Sequence, residues 1–248
     1  RDRAKGGVSL IIPGATMIRT GKHFIYEEEE AFLGPVKEIV DELHSYGTKF
    51  FLQLGAGFGR AQFYMMDSED EDIRNTLIVS PADGLPNVWN PELKHRGLSK
   101  EEIKEIVEAF GKTAVLCRKA GIDGIEIHAV HEGYLLDQFA ITNTNGRTDE
   151  YGGSLENRLR FACEIIKEIH RAAGEDYPVS VRYSVASKMR GFNAGALPAE
   201  EFEEFGRSLE ESPKAAQILE AAGADMLNAD NGSYDSWWWA HPPVYMPL

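Results

Sequence analysis

The 248-residue chain has few cysteines, a deficit of basic residues and no long apolar run, and each shortage excludes a class of protein. Its two cysteines are too few for a disulfide framework or a cysteine metal cluster, which fits the reducing cytoplasm. No apolar stretch approaches the roughly 18 residues of a membrane-spanning helix. Lysine and arginine number 26 against 40 acidic residues, a formal net charge of −14. We therefore expect a cytoplasmic protein with no membrane and no nucleic-acid partner.

The chain does contain an alternation of short apolar runs and helical patterns. Five apolar runs predict buried strands: Val8–Ile12, Lys49–Leu54, Ile122–His128, Pro178–Tyr183 and Ala224–Ala229. Apolar residues recur between them at helical spacing, and Ser99 begins a capping box with Glu102. The fourth helical segment is expected to begin at Pro198, with an interruption at Pro213.

The predicted connections are short from helix to strand and long from strand to helix. Because the strands lack polar alternation, they indicate a parallel sheet that is buried on both faces. Long strand-to-helix loops are typical of a (β/α)8 TIM barrel, in which they form the catalytic face. A doubly wound sheet is the rival, but no G-x-G-x-x-G sequence opens a helix here, and Gly55–Gly59 lacks that spacing. We predict an α/β fold of the (β/α)8 type.

Five strands cannot close an eight-stranded barrel. The opening RDRAKGG also has the composition of a helix end. We therefore expect residues 1–248 to form the central part of one barrel domain, about strands 2 to 6, with the first and last strands outside the chain.

Polar residues stand at the ends of the predicted strands, where parallel strands bring them to one edge of the sheet. They are Gln53, Glu126, His128, Arg182, Asn228 and Asp230. A buried polar group without a partner costs roughly 1–3 kcal/mol. These side chains are therefore expected either to bind a shared polar ligand or to pair with one another.

His128 and His131 are spaced as H-x-x-H at the end of the third predicted strand. No third ligand is spaced to join them, so we predict no metal site. Two imidazoles at a strand end suit hydrogen-bond donation to a carbonyl or carboxylate oxygen. Tyr134, three residues further on, could supply a phenolic proton, or it could be a packed aromatic residue.

Two further segments have a distinctive composition. The segment NGRTDEYGGSLENR is dense in turn residues, and we expect its charged side chains to pair internally: Arg147, Asp149, Glu156 and Arg158. Beyond the last strand, Tyr234 and Trp237–Trp239 form an aromatic cluster ahead of His241-Pro242-Pro243. Such a cluster suits a flat ligand, the wall of a substrate cavity, a packed lid or an oligomer contact.

These motifs carry a family resemblance over almost the whole chain. GIEIHAVHEGYLLDQF and TNGRTDEYGGSLENRLRF closely resemble the NADH:flavin oxidoreductase branch of the Old Yellow Enzyme class. LQLGAGFGR, VSVRYS and YDSWWWAHPPVYMP are most similar to its 2-enoate reductase and bile-acid-type enoate reductase clade. The resemblance implies an FMN-binding TIM barrel. It also implies hydride transfer from NAD(P)H through the flavin to the β-carbon of an α,β-unsaturated carboxylate or carbonyl compound.

The resemblance also implies which residues bind the cofactor. Ala15 would contact the flavin through its backbone, and Gln53 would hydrogen-bond the pyrimidine edge of the ring. Arg182 would lie near flavin N1 and O2, where its charge stabilises the anionic reduced ring. The clade commonly continues into a [4Fe–4S] loop and a second, FAD-type flavin domain, for which this chain carries no ligands.

On the substrate side, the resemblance implies that His128 and His131 bind the electron-withdrawing oxygen of the small-molecule enoate. Tyr134 would protonate its α-carbon. Glu132 is an insertion that shifts the tyrosine relative to the commoner spacing, so His131 and Tyr234 stay open as alternative proton donors.

Three other functions are compatible with the sequence. FMN-dependent oxidative amine demethylation uses the same fold. A truncated, non-catalytic barrel could bind a partner or assemble as a homo-oligomer through the aromatic cluster. A barrel hydrolase or aldolase could use Glu126 and Asp230, but that function leaves Gln53 and Arg182 without a role.

Overall fold

The computed structural model describes residues 1–131, 133–197 and 199–237. Within these ranges the helices are α1 Asp2–Lys5, α2 Glu29–Ser45, α3 Glu71–Leu77, α4 Lys100–Lys119, α5 Leu135–Ala140, α6 Leu155–Ala173 and α7 Ser212–Ala221. The strands are β1 Leu10–Ile11, β2 Thr16–Met17, β3 Arg19–Thr20, β4 His23–Phe24, β5 Lys49–Gly55, β6 Val79–Ser80, β7 Arg96–Gly97, β8 Gly124–Val130, β9 Val179–Ser184, β10 Met189–Gly191, β11 Ala194–Gly195 and β12 Met226–Asp230. Short 3₁₀ turns occupy Ile25–Glu28, Gly59–Ala61 and Tyr234–Ser236.

A parallel sheet in the order β1-β5-β8-β9-β12 forms the centre of the fold. β2 continues beyond β1 along the same edge of β5. Each neighbouring pair is parallel and follows chain order, with helices between successive long strands, as in a (β/α)8 barrel. The predicted fold class is confirmed, and the described residues supply an incomplete segment of the barrel.

The helices form where the sequence signals predict them. At α4, the Ser99 hydroxyl accepts a hydrogen bond from the Glu102 backbone N–H, and the Glu102 carboxylate accepts one from the Ser99 N–H. This confirms the predicted capping box. Ile103, Ile106 and Phe110 follow at helical spacing and are buried. The apolar face of α4 therefore packs into the core.

Two helices differ from the prediction. α5 was not predicted, whereas α2 forms where the apolar spacing predicts a helix and runs through Pro35. α7 begins only at Ser212, and residues 199–211 are not helical. Pro213 lies in the first turn of α7, where its missing N–H costs no intrahelical hydrogen bond. The expected helix start at Pro198 lies outside the described residues, and Pro213 starts a helix instead of interrupting one.

The charged segment before α6 pairs only partly within itself. Arg147 binds Asp149, with 2.6 Å from Nη2 to Oδ2, as expected. Arg158 instead binds Glu211, 2.6 Å from Nη2 to Oε2 and 53 residues further along the chain. The expected internal pairing is therefore wrong for Arg158, because the end of the loop that precedes α7 packs beside α6 and brings Glu211 within reach.

The outer strand of the sheet is more exposed than the strands beside it. Met226 in β12 is 37% exposed, whereas Val179 in the adjacent β9 and Ile125 in β8 are fully buried. In the described part of the chain, β12 has one paired neighbour, β9.

None of the described helices is both long enough and apolar enough to span a bilayer.

Packing at the start of β8 generates a stability prediction. A Cβ on Gly124 would lie 2.6 Å from the Phe51 ring and 2.8 Å from the Pro178 carbonyl oxygen. Overpacking of this kind costs roughly 1–3 kcal/mol, so Gly124→Ala should lower the urea midpoint of the protein. Gly191→Ala is the matched control, since no atom lies within 4 Å of its added Cβ. Equal midpoints for the two variants would contradict this packing.

Candidate active site

Strand register brings the predicted polar residues to one inner face of the sheet. Gln53 in β5 is opposite Glu126 in β8, and Glu126 is opposite Ser180 in β9. Because every second side chain points to the same face, Gly55, His128 and Arg182 form the next layer towards the carboxyl ends of the strands. Parallel strands thus place two successive polar layers at the mouth of the incomplete barrel.

The lower layer is built around a buried carboxylate. Glu126 is fully buried. It accepts hydrogen bonds from Gln53 Nε2 at 2.6 Å, from Ser180 Oγ at 2.8 Å and from Asn228 Nδ2 at 3.1 Å. Donors from three other strands of the sheet, β5, β9 and β12, therefore solvate one carboxylate that is shielded from water. In this layer the polar residues do pair with one another.

The upper layer is a row of contacting polar side chains: one guanidinium, one carboxylate and two imidazoles. Arg182 donates to Asp230, with 2.5 Å between Nη2 and Oδ2, and both side chains are half-buried. Asp230 Oδ2 lies 3.6 Å from His131 Nδ1, and His131 Nε2 lies 3.2 Å from His128 Nδ1. These contacts connect the ends of β8, β9 and β12. The register of β8 against β9 shifts between Ile127 and Val130, which turns the backbone beside His128.

Both histidines of the upper layer, His128 and His131, are held neutral. Burial, together with the Arg182 charge, lowers the pKa of His128 to about 4. Burial, together with His128 and Arg182, lowers the pKa of His131 to about 2. Each ring therefore has one N–H donor at neutral pH and carries no charge. Neutral donors of this kind can bind an oxygen that becomes negative during a reaction.

The two tyrosines that sequence analysis singled out meet at this site. Tyr134 is buried at the N-terminus of α5, and its ring centroid lies 4.5 Å from that of His128. The hydroxyl oxygens of Tyr134 and Tyr234 are 2.5 Å apart. The three candidate proton donors, Tyr134, His131 and Tyr234, therefore form one contiguous cluster. Glu132 lies outside the described residues.

An aromatic wall, which sequence analysis identified only in part, lines this cluster. Tyr234 stacks on Trp237 with ring centroids 5.1 Å apart and meets the edge of Trp89 at 5.4 Å. Phe58 lies 5.5 Å from Tyr134. Trp89 and Trp237 are 42% and 36% exposed, so the wall has an open side. Trp238, Trp239 and His241-Pro242-Pro243 of the predicted cluster lie outside the described residues.

Sequence analysis also missed Gln138, which holds the loop after β5 against the turn before α5. Its Oε1 accepts from the Arg60 backbone N–H at 3.1 Å, and its Nε2 donates to the Gly133 carbonyl at 2.6 Å. Gly59 has φ +56°, and a Cβ there would lie 2.4 Å from Gln138 Oε1. Position 59 of the GAGFGR sequence therefore requires glycine for two reasons. Its backbone has a positive φ, and the Gln138 side chain lies where a Cβ would be.

A family model described as the NADH:flavin oxidoreductase / NADH oxidase family matches residues 1–230. The chain belongs to this family. It is 50% identical over 98% of its length to cinnamate reductase of Clostridium sporogenes, covering 37% of that protein. It is 36% identical over 94% of its length to NADH oxidase of Thermoanaerobacter brockii, covering 33% of that protein. Family membership confirms the recognised resemblance, the flavin oxidoreductase class and the expectation of FMN with NAD(P)H.

A solved structure agrees with the fold. The chain is similar to 2-naphthoyl-CoA reductase, solved with 2-naphthoyl-CoA, with a TM-score of 0.78 and 26% identity, over 95% of this chain and 34% of that one. The chain thus spans about a third of the length of the relatives and of the solved structure named here.

Among residues 1–131, 133–197 and 199–237, no group of three or more His, Cys, Asp or Glu side chains could hold a metal ion.

The described residues fit an FMN ring by the chemistry of their donors. Gln53 offers an amide and Arg182 a half-buried cation on the same inner face, with the side-chain-free Gly55 directly beyond Gln53. Ala15 is exposed one residue before β2, which pairs with the carboxyl end of β5. The three residues to which the resemblance gives the cofactor therefore lie along one edge of the sheet.

The neutral histidines generate a prediction about acid stability. The unfolded chain protonates His128 below about pH 6.5, whereas the folded protein does so only below about pH 4. The free energy of unfolding should therefore decrease as the pH falls from 6.5 to 4, by roughly 3 kcal/mol from His128 alone.

Urea unfolding of the FMN-free protein between pH 4 and 7 measures this effect. His128→Asn should flatten the pH dependence, and His23→Asn, at an exposed histidine, should leave it unchanged. Parallel pH profiles for wild type and His128→Asn would contradict a buried neutral imidazole.

Proposed function

We propose that the whole protein is an FMN-dependent enoate reductase that uses NAD(P)H, and that residues 1–248 form the central part of its FMN-binding barrel domain. The observation that carries the proposal is the contact between two neutral imidazoles and a pair of tyrosine hydroxyls at the strand ends. The likeness to a cinnamate reductase supports it. Ala15, Gln53 and Arg182 would hold FMN, which would supply hydride transfer from NAD(P)H to the β-carbon of the acceptor.

Residues of this chain prepare the acceptor for that hydride. A substrate carboxylate or carbonyl oxygen takes the place of the contact between His131 Nε2 and His128 Nδ1. Each neutral ring can then donate its N–H to that oxygen, which withdraws electrons from the C=C bond. Negative charge grows on this oxygen as the β-carbon gains a hydride, and the two donors stabilise it. Arg182 places its guanidinium beside them, in an ion pair with Asp230. The same cation favours an anionic substrate and a reduced flavin.

Tyr134 completes the reduction by moving a proton. Its O–H bond breaks, and the proton forms the new C–H bond at the α-carbon. Tyr234 donates a hydrogen bond to the oxygen that is left negative, and solvent returns the proton. The balance is one NAD(P)H, one proton and one C=C bond converted to NAD(P)⁺ and a saturated product.

The aromatic wall indicates the substrate class. Phe58, Trp89 and Trp237 border the Tyr134–Tyr234 pair from different directions. Flat apolar groups bind such a wall by stacking and edge contacts. We propose that the substrate is an enoate with an aryl group on its β-carbon.

Three expectations from the sequence stay predictions for the whole protein. They are a cytoplasmic location, assembly as a homo-oligomer, and further [4Fe–4S] and FAD cofactors.

Tyr134→Phe in the full-length, FMN-loaded protein tests the reaction. Stopped-flow measurement should give flavin reduction by NADH or NADPH close to the wild-type rate, because Tyr134 takes no part in it. Reoxidation by cinnamate should slow about 10²- to 10⁴-fold, since the general acid is lost. Tyr46→Phe, at an exposed residue after α2, is the matched control.

Three results would reject the proposal. They are a full-length protein that does not bind FMN, a bound flavin that cinnamate and smaller enoates do not reoxidise, and a Tyr134→Phe rate equal to that of Tyr46→Phe. Reduction of the flavin by amines would assign the alternative, oxidative amine demethylation.

Trp89→Leu tests the substrate class separately. An aromatic pair is worth about 0.5–1.5 kcal/mol, so the ratio of kcat/KM for cinnamate to kcat/KM for crotonate should fall about two- to tenfold. Tyr46→Leu should leave the ratio unchanged. An unchanged ratio in Trp89→Leu would show that this wall does not select aryl groups.

A further inference from the structure

A buried ion pair lies behind the tyrosines, outside the residues that touch a substrate. Arg60 follows β5 in the Gly59–Ala61 turn, and Asp235 follows β12 in the Tyr234–Ser236 turn. Their Nη1 and Oδ2 atoms are 2.6 Å apart, and the side chains are 1% and 2% exposed. The two residues are 175 positions apart in sequence, and the pair joins the loop after β5 to the loop after β12.

Other contacts lock both members of the pair in place. Arg60 Nε donates to the Pro86 carbonyl at 2.9 Å, and its guanidinium lies 4.3 Å above the Phe192 ring. The second oxygen of Asp235, Oδ1, accepts from the Asn193 N–H at 2.7 Å. A buried guanidinium keeps its charge, so it requires its carboxylate. The Arg60–Asp235 ion pair is therefore held by further contacts and shielded from solvent.

The pair is connected to Tyr234 through the backbone and to Tyr134 through Gln138. Asp235 is the residue after Tyr234 in one 3₁₀ turn, where successive side chains point about 120° apart. With Asp235 turned to Arg60, Tyr234 reaches the hydroxyl of Tyr134. On the other side, the Arg60 N–H binds Gln138, which also binds the carbonyl of Gly133 beside Tyr134.

We propose that Arg60 and Asp235 are positioning residues, which hold the Tyr234 hydroxyl against that of Tyr134 so that the two hydroxyls deliver the proton as one unit. This inference rests on the proposed function. Tyr134 gives its proton to the α-carbon, and Tyr234 stabilises the resulting phenolate by its hydrogen bond until water returns a proton. A displacement of about 1 Å is enough to disrupt such a step.

Asp235→Asn in the full-length, FMN-loaded protein tests the inference, because it removes the charge and keeps the shape. Reoxidation by cinnamate should slow at least about tenfold at saturating substrate. Flavin reduction by the nicotinamide and the apparent Kd for cinnamate should change by less than about threefold. The solvent isotope effect on reoxidation should rise, since proton transfer becomes slower. Asp149→Asn breaks the Arg147 pair elsewhere and should change none of these values.

A double-mutant cycle separates positioning from general damage. If Asp235 acts through Tyr234, Asp235→Asn should cause no further slowing in a Tyr234→Phe background. Arg60→Lys serves in the same cycle if Asp235→Asn fails to fold. Equal slowing in both backgrounds, or no slowing in either, would overturn the inference. Failure of the proposed function is distinguishable, because it shows in the wild-type protein or in Tyr134→Phe, whereas failure of this inference shows only in the Asp235 and Arg60 variants.

Discussion

The buried carboxylate of Glu126 is the interaction on which the geometry of the site depends. It is fully buried, and amide and hydroxyl donors from β5, β9 and β12 solvate it. A slip of one residue in any of these strands would turn its donor to the opposite face and leave the carboxylate without that donor. Such a loss costs more than a missing neutral hydrogen bond. Glu126 therefore fixes the register of its strands, and through the register it fixes where His128 and Arg182 lie.

Above this layer the site combines a cation with uncharged imidazoles. An arginine close to a histidine raises the free energy of the imidazolium, and burial acts in the same direction. Arg182 therefore helps to keep both His128 and His131 as neutral hydrogen-bond donors. Asp230 holds the guanidinium in place at 2.5 Å. The arrangement places a guanidinium at the mouth of the barrel without protonating the groups that would bind the substrate oxygen.

Features that depend on neighbours in sequence could be predicted, and features that depend on distant contacts could not. The long strands, the capping box at Ser99 and the polar strand ends have local signals, and all are present. α5 is short and buried on every side, so it lacks the polar face that periodicity detects. Glu211 as the partner of Arg158, and Trp89 as a neighbour of Tyr234, join residues far apart in sequence. No local pattern carries that information.

The same dependence on distant contacts shapes the backbone beside each tyrosine. Asp137 binds the Gly133 N–H at 2.9 Å, next to Tyr134, and is itself paired with Arg207 at 3.3 Å, both fully buried. Burial raises the pKa of Asp137, and the Arg207 charge opposes that rise only in part.

Each tyrosine thus has an aspartate, paired with a buried arginine, close by: Asp235 follows Tyr234, and Asp137 binds the N–H of Gly133 before Tyr134. Desolvating two such pairs is costly, and well-packed apolar side chains of similar volume often stabilise a fold as well or better. Stability alone therefore does not account for charged residues at these positions. Directional contacts do, because an ion pair with further hydrogen bonds permits fewer orientations than apolar packing, and the chemistry proposed for the two hydroxyls depends on orientation.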